Sequence, residues 1–467
     1  MPLLPDLPNE MLEQIMKYLL PDDVDNFSDS REEFRAIASR ILPRHNELKR
    51  KNSQVSCGLV GSVGYKALHP IFLLRDILQD PEILWYVKTM FVELCDDHYA
   101  YRNEETWDEA RRIAVDCKDG IIKMVQACPY LDQEERKNWI NATLSCHQDT
   151  AVALLACMFP CLETIRLTGI HSNNELHSLA RKIAQANRLD PGGSHALSKL
   201  NLVEEEGCEA EIFQKMPAFE PLSGLPSMRR YTGRYLYHEN EWTTPKEKST
   251  ITSVELYQCM IYIAALRSVF GGIANLRDFT YEHHWAFEIQ GTEAYPNDWK
   301  GDWQPGEIIL SLLEFAAHSL VELDLTRGGS KEMQRVEETL GEKGEAEDSD
   351  EDSEVGGIVK PFMGSLRGFQ VLKNIRVQNE AFVEEDLEGS AGGRTVHRLV
   401  DLLPASVVNV TLAMPQLSGK ESYRLMEGLP GLKWERVPKL EKVIVGSDCP
   451  YKEMKTVFET VGIELVS

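Results

Sequence analysis

One pattern recurs along this chain and restricts its fold more than any other feature. An apolar residue is followed by two residues of any kind, then by apolar residues at alternate positions. It occurs as Val87-x-x-Met90-x-Val92, Leu162-x-x-Ile165-x-Leu167 and Leu197-x-x-Leu200-x-Leu202. It returns as Leu276-x-x-Phe279-x-Tyr281, Leu320-x-x-Leu323-x-Leu325 and Leu372-x-x-Ile375-x-Val377, and again as Val407-x-x-Val410-x-Leu412 and Leu440-x-x-Val443-x-Val445. Met228-x-x-Tyr231 is a weaker copy. A spacing of two places the last two apolar residues on one face of a β-strand. From Leu162 onward the steps between first residues are 35, 31, 48, 44, 52, 35 and 33. Each interval has room for a helix, and helix-like stretches fall at Asp149–Met158, Val254–Val269 and Ile308–His318. Strands that alternate with helices pair in parallel, because the chain must cross back over the sheet between them. The expected class is therefore α/β.

Two architectures fit such alternation, a doubly wound sheet and a solenoid. No strand is followed by a glycine-rich phosphate loop, and the unit repeats along the whole chain, which favours the solenoid. There each unit buries its apolar face only against its neighbours. The unit resembles a leucine-rich repeat, whose strand carries these three apolar positions. That family places Asn or Cys three residues after the last of them. Here the slot holds Cys95, then Ile170, Glu205, His284, Gly328, Glu380, Pro415 and Asp448. The resemblance is thus to a degenerate, irregular solenoid with one parallel sheet and long loop insertions.

The N-terminus reads differently. In Leu7–Val24, Pro8 suits a first helical turn, and Leu12, Ile15 and Leu19 recur at helical spacing. Pro21 ends that helix, and Asp22 to Phe27 reads as a second short one. Ser30-Arg31-Glu32-Glu33 has the form of a capping box that opens a third, with Phe34, Ile37, Ala38 and Ile41 on one face and Pro43 at its close. Three such helices bury little, so the module should gain stability from a partner. Leu7-Pro8, Glu10, Leu12, Ile15, Tyr18-Leu19, Pro21, Asp23 and Val24 resemble the start of an F-box. This resemblance implies a substrate-recognition subunit of an SCF (Skp–cullin–F-box) ubiquitin ligase. Leu7, Pro8, Leu12, Ile15 and Leu19 would contact a Skp-type adaptor, and through it the cullin scaffold, with some of the five packing the module's own core instead. The repeat domain would hold a target protein. The expected boundaries are 1–50 for the F-box-like module, 51–86 for a helical linker or cap, and 87–467 for the repeats.

Charge narrows the partners. The formal net charge is −24 over 467 residues. Nucleic acid and anionic membrane surfaces call for clustered Lys and Arg, so neither is an expected partner. The longest apolar run, Thr150–Leu162, falls short of the roughly 20 residues a membrane span needs. Asp6, Glu10 and Glu13 stand where a secretory signal would be basic and then apolar. The ten cysteines lie mostly among apolar neighbours, as reduced thiols of a cytoplasmic or nuclear protein would. Ten acidic residues against one lysine fall in 337–355. Residues 341–357 therefore read as a disordered insertion. Ser349 and Ser353 within it suit an acid-directed kinase, and a plain solvated charge run fits the same composition.

Aromatic residues gather in two intervals. Residues 232–249 hold Tyr235, Tyr237, His238 and Trp242, and residues 280–304 hold Trp285, Trp299 and Trp303. Tyr235, Trp242, Trp285, Trp299 and Trp303 are candidates for a target-binding surface. The alternative is that these rings fill the core beneath long loops. No pattern for catalysis emerges. Gly58-x-x-Gly61-x-x-Gly64 is not a dinucleotide fingerprint, and Gly419-Lys420 lacks the upstream glycine of a phosphate loop. Adjacent His283 and His284 face opposite sides of a strand. Cys157 and Cys161 lack a second pair at zinc spacing. The expectation is a non-catalytic receptor without cofactor. An interaction scaffold with no ligase role and an enzyme with a site assembled across repeats are the alternatives.

Overall fold

The computed structural model describes residues 7–19, 21–58, 69–93, 104–168, 174–207, 214–216, 218–238, 248–284, 303–328, 362–385, 394–413, 419–445 and 451–466. The chain is mixed α/β and divides into two compact units. One is Met1–Glu204 with Leu225–Met228, and the other is Glu205–Gly224 with Arg229–Ser467.

The first unit begins with α1 (Asn9–Lys17), α2 (Pro21–Ser30), α3 (Glu32–Ala38) and α4 (Leu42–Asn52). Leu12, Met16, Val24, Phe34, Ile37 and Ala38 close a small core between the first three. Phe27 stacks on Phe34 at 4.4 Å. Two local expectations fail. Ser30 Oγ donates to the Phe27 carbonyl at 2.8 Å and leaves α3 uncapped by a side chain, so no capping box forms. Pro43 does not close a helix. It lies in the first turn of α4, where a missing N–H is not needed. Helix α4 then carries the chain through the expected boundary at residue 50. His45 on α4 is buried, with Nε2 2.9 Å from Asp25 Oδ1 and Nδ1 3.0 Å from the Tyr86 hydroxyl. Lys88 Nζ donates to Asp22 at 2.7 and 2.8 Å. The helical module is thus tied to the segment that follows it.

That segment is not only helical. β1 (Gln54–Gly58) precedes α5 (Pro70–Gln79), a 3-10 turn (Pro81–Trp85) and β2 (Thr89–Glu93). β1 pairs in parallel with β2, so the sheet starts at residue 54 and not at 87. Gly58 has φ +154°, and a Cβ there would lie 2.0 Å from the carbonyl oxygen of its register partner Glu93. Only glycine fits that close approach. Next come α6 (Glu104–Asp116), α7 (Lys118–Ala127), α8 (Gln133–Leu144), α9 (Gln148–Met158), β3 (Thr164–Thr168), α10 (Asn174–Leu189) and β4 (Leu202–Glu206), within which the two units divide. Val87, Met90, Val92, Leu162, Ile165 and Leu167 are all buried. The third copy is displaced. Leu197 and Leu200 are buried ahead of the strand, and the inward residues of β4 are Val203 and Glu205. The working copy is Leu200-x-x-Val203-x-Glu205, with a carboxyl in the last apolar slot.

The second unit holds β5 (Gln214–Lys215), α11 (Phe219–Ser223), β6 (Arg230–Arg234), β7 (Leu236–His238), β8 (Ser253–Ile261) and α12 (Ile263–Gly272). β9 (Asp278–His284), α13 (Pro305–Ala316), β10 (Glu322–Gly328) and β11 (Asn374–Gln378) follow, then a 3-10 turn (Asn379–Phe382). The remainder is β12 (Val383–Glu385), β13 (Arg394–Val396), α14 (Leu399–Leu402), β14 (Asn409–Ala413), α15 (Gly419–Met426), α16 (Leu429–Arg436), β15 (Lys442–Ile444), α17 (Tyr451–Thr460) and β16 (Glu464–Val466). The main sheet of this unit runs β6-β8-β9-β10-β11-β14-β15-β16, every pair parallel. β5 and β7 form a side ladder, and β12 with β13 an antiparallel pair. Strand order follows chain order, whereas a doubly wound sheet reverses at a switch point.

β8 corrects the expected helix over Val254–Val269. Its first half is a strand, and α12 begins only at Ile263. Ile251-x-x-Val254-x-Leu256 is a complete, fully buried copy of the motif that divides the 48-residue step. On the inward face, cross-strand rows such as Tyr231, Val254, Phe279, Leu323, Ile375, Val410 and Val443 are solidly buried. Tens of kcal/mol of gross apolar burial come from such rows, at about 25 cal/mol per Å², before chain entropy is set against it.

Candidate interaction surfaces

The first surface belongs to the N-terminal module. The helical period places Leu12 and Met16 of α1 inward, at 2% and 1% exposure. Leu12 is therefore one of the five candidates that pack the module's own core. Leu7, Ile15 and Leu19 are partly buried against the same core, and Pro8 is exposed. Two apolar side chains that the sequence reading did not assign as adaptor contacts project outward: Met11, 51% exposed, and Tyr18, 86% exposed. Both were legible, because Met11 lies one residue before buried Leu12 and Tyr18 two residues after buried Met16. Pro8, Met11, Ile15, Tyr18 and Leu19 thus form an apolar margin along one short helix. Glu13 joins Arg40 at 2.9 Å on the module's polar side.

The second surface is the outward face of the sheet in the second unit. Parallel register lines up the residues between the buried positions into rows. One row reads Arg230, Ser253, Asp278, Glu322, Asn374, Asn409, Lys442 and Glu464. The row two residues on reads Thr232, Glu255, Thr280, Asp324, Arg376, Thr411 and Ile444. All of them except Thr232 and Glu464 line a depression of about 820 Å³.

Hydrogen bonds and ion pairs tie residues of these rows together. Arg230 Nη2 meets Glu255 Oε1 at 2.6 Å, and Arg376 Nη1 meets Asp324 Oδ2 at 3.0 Å. Asn374 Nδ2 donates to Glu322 Oε1 at 3.0 Å, and Asn409 Nδ2 to Asn374 Oδ1 at 2.8 Å. The Tyr257 hydroxyl donates to Glu255 Oε2 at 3.1 Å. Burial raises the Asp324 carboxyl above its ordinary range although Arg376 draws it down, and its Oδ1 is buried without a partner. Burial also raises Asp278, and the neighbouring Glu322 charge adds to it. Glu282 is raised by burial against a hydrogen bond from Gln258. The middle strands β8 to β10 thus carry an excess of carboxylates, with Arg229 and Arg230 to one side and Arg376 and Lys442 to the other. Such a face can hold a partner's charged side chains in register. Its lining contains no histidine or cysteine.

The aromatic candidates divide. Tyr235 is half-buried, at φ +54° between β6 and β7. Trp303 is 2% exposed, with its ring 6.2 Å from Tyr281 and 5.6 Å from His283. It is a core side chain and presents no surface to a target, which corrects that expectation. The cause is a stack of aromatic residues at the end of β9, where a large ring fills the space under the chain. Trp242, Trp285, Trp299, Ser349 and Ser353 lie outside the described residues. Among the described residues no group of three His, Cys, Asp or Glu is placed to hold a metal ion, and no helix is long and apolar enough to cross a membrane. No protein-family model matches the chain, and no curated protein matches it in sequence.

Proposed function

We propose that the chain is the substrate-recognition subunit of an SCF ubiquitin ligase, an F-box protein with degenerate leucine-rich repeats. The observation that carries this reading is the N-terminal module. Three helices enclose a minimal core and leave apolar side chains at Pro8, Met11, Ile15, Tyr18 and Leu19 on their outer margin. Apolar anchors on a short amphipathic helix are what a hydrophobic groove takes up. The adaptor would bury them, and the cullin would follow through the adaptor. Strands in chain order, most of them with three buried apolar positions, support the repeat reading, and the polar rows of the second unit would supply a surface for a target. The receptor does no covalent chemistry. It holds its target near the charged conjugating enzyme, so its contribution is proximity. The excess of carboxylates on β8 to β10 favours a target with basic side chains.

A cell-extract pull-down with the full chain tests the reading. Recovery of both adaptor and cullin, lost in the Met11→Asp, Tyr18→Asp double variant, is the expected result. Recovery of neither by a folded chain would favour the second reading, a leucine-rich-repeat scaffold with no ligase role, in which the polar sheet face alone carries the interaction.

A further inference from the structure

The depression on the outward sheet face of the second unit is a trough whose width and charge order select what can lie in it. Its two polar rows stand two residues apart along the strands, about 7 Å. A helix with its side chains is about 10 Å across, so an extended chain fits between the rows and a helix does not. The strand backbone at Phe279, Leu323 and Ile375 forms the floor, since those side chains face inward. Six strand-to-strand steps separate Arg230 from Lys442. At roughly 4.8 Å each they span about 29 Å, room for about nine extended residues. The charges at the centre are unbalanced. Glu255 is met by Arg230, and Asp324 by Arg376. Asp278 and Glu322 are register partners on β9 and β10, so their Cα atoms lie about 4.8 Å apart. Among the described residues the Asp278 carboxyl has no hydrogen-bond or ion-pair partner, and Glu322 accepts only the Asn374 amide. Like charges directly opposite each other on one face destabilise a strand pair, and a cation placed between them removes the repulsion. On the next strands Asn409 donates to Asn374, and Asn374 to Glu322. Each amide keeps one N–H, and Asn409 keeps its side-chain carbonyl, for an outside partner.

We propose that this trough binds an extended segment of a partner protein through one arginine, whose guanidinium bridges Asp278 and Glu322 while the neighbouring backbone pairs with Asn374 and Asn409. A guanidinium is planar and carries five donors, so it can present one edge to each carboxylate. A lysine ammonium is a compact point charge and cannot meet both carboxylates through parallel hydrogen bonds, which makes it the poorer fit. The trough's own Arg230 and Arg376 are already engaged by Glu255 and Asp324, so the bridging cation has to come from outside. The inference rests on the reading of this face as the target surface, and not on the adaptor.

Binding to the full chain tests it, with nine-residue peptides that fix arginine, lysine or citrulline at the centre and carry mixed neutral residues elsewhere. The expected result at low salt is retention of the arginine peptides at least about fivefold above the lysine peptides, and no retention of the citrulline peptides. In the Asp278→Asn, Glu322→Gln double variant the arginine preference should vanish. In the Asn374→Ala, Asn409→Ala double variant retention should fall while the arginine preference remains. The wild-type comparison decides alone if a variant fails to fold. Equal retention of arginine and lysine peptides, no retention of either, or an arginine preference that survives the loss of both carboxylates would overturn the proposal. Titration of the same preparation with a Skp-type adaptor keeps the two readings apart. Adaptor binding without an arginine preference defeats this inference alone, and an arginine preference without adaptor binding defeats the ligase reading alone.

Discussion

The hydroxyl of Tyr231 donates a 2.5 Å hydrogen bond to the carboxyl of Glu205, and both side chains are buried. Glu205 occupies the last apolar slot of the displaced strand motif, so the core accepts an acid there by keeping it neutral. Burial pushes its carboxyl up to about 8, against the hydrogen bonds from Tyr231 and the Ala218 backbone. The folded chain therefore holds a proton that the unfolded chain releases near 4.5. This contribution to stability is full below that value and is lost as the pH rises to about 8. Unfolding free energies at pH 5 and pH 8 should differ by roughly a few kcal/mol from this group. Glu205→Gln should flatten that dependence. An equally steep pH slope in the variant would refute the assignment.

The parallel register makes a sharp contrast between neighbours on β9. Phe279 faces inward and meets Phe270 edge to face at 4.9 Å, whereas Thr280 lies in the outward polar row. Phe279→Ala should cost about 3–5 kcal/mol in denaturant unfolding. Thr280→Ala should stay within about 0.5 kcal/mol. Comparable costs at both positions would mean that the register is wrong.

Much of this was open to sequence reasoning, and the failures have causes. Seven of the strand motifs keep their positions because three apolar residues at fixed spacing admit one inward face. Val254–Val269 reads as one helix because it is apolar at helical intervals when the strand β8 and α12 are joined into one element. β1 escaped notice since Asn52 stands where the first apolar residue belongs. Glu205 hid the true register of β4, as no hydrophobic pattern expects a buried acid. The polar rows were invisible as a surface because cross-strand adjacency appears only when eight strands are stacked. The apolar period of α1 was plain, but telling its core residues from its surface ones needed α2 and α3 in place.

On the outward face, Asp324 depends on Arg376. Removing the guanidinium leaves a half-buried carboxylate with no cationic partner, so Arg376→Ala should cost on the order of 1 kcal/mol, since the arginine is largely exposed and screened. Asp324→Asn in the same background should recover most of the loss. A double-mutant cycle in urea measures both, and added salt should shrink the wild-type difference. An Arg376→Ala variant with unchanged stability at low salt would show that the pair contributes nothing.

Within the N-terminal module, support and surface should separate by substitution. Leu12→Ala opens a cavity in the small core and should cost about 2–5 kcal/mol, seen as early loss of helix on heating. Tyr18→Ala should leave the transition unchanged, because that ring is 86% exposed. Equal sensitivity at the two positions would place Tyr18 in a contact that the module itself needs.

Calorimetric titration of the full chain with a purified Skp-type adaptor tests the central claim most directly. The account predicts saturable binding by the wild type and at least a tenfold loss in the folded Met11→Asp, Tyr18→Asp double variant, because each carboxylate must enter an apolar groove unpaired. Absence of binding by the folded wild type, or equal affinity in the double variant, would contradict it.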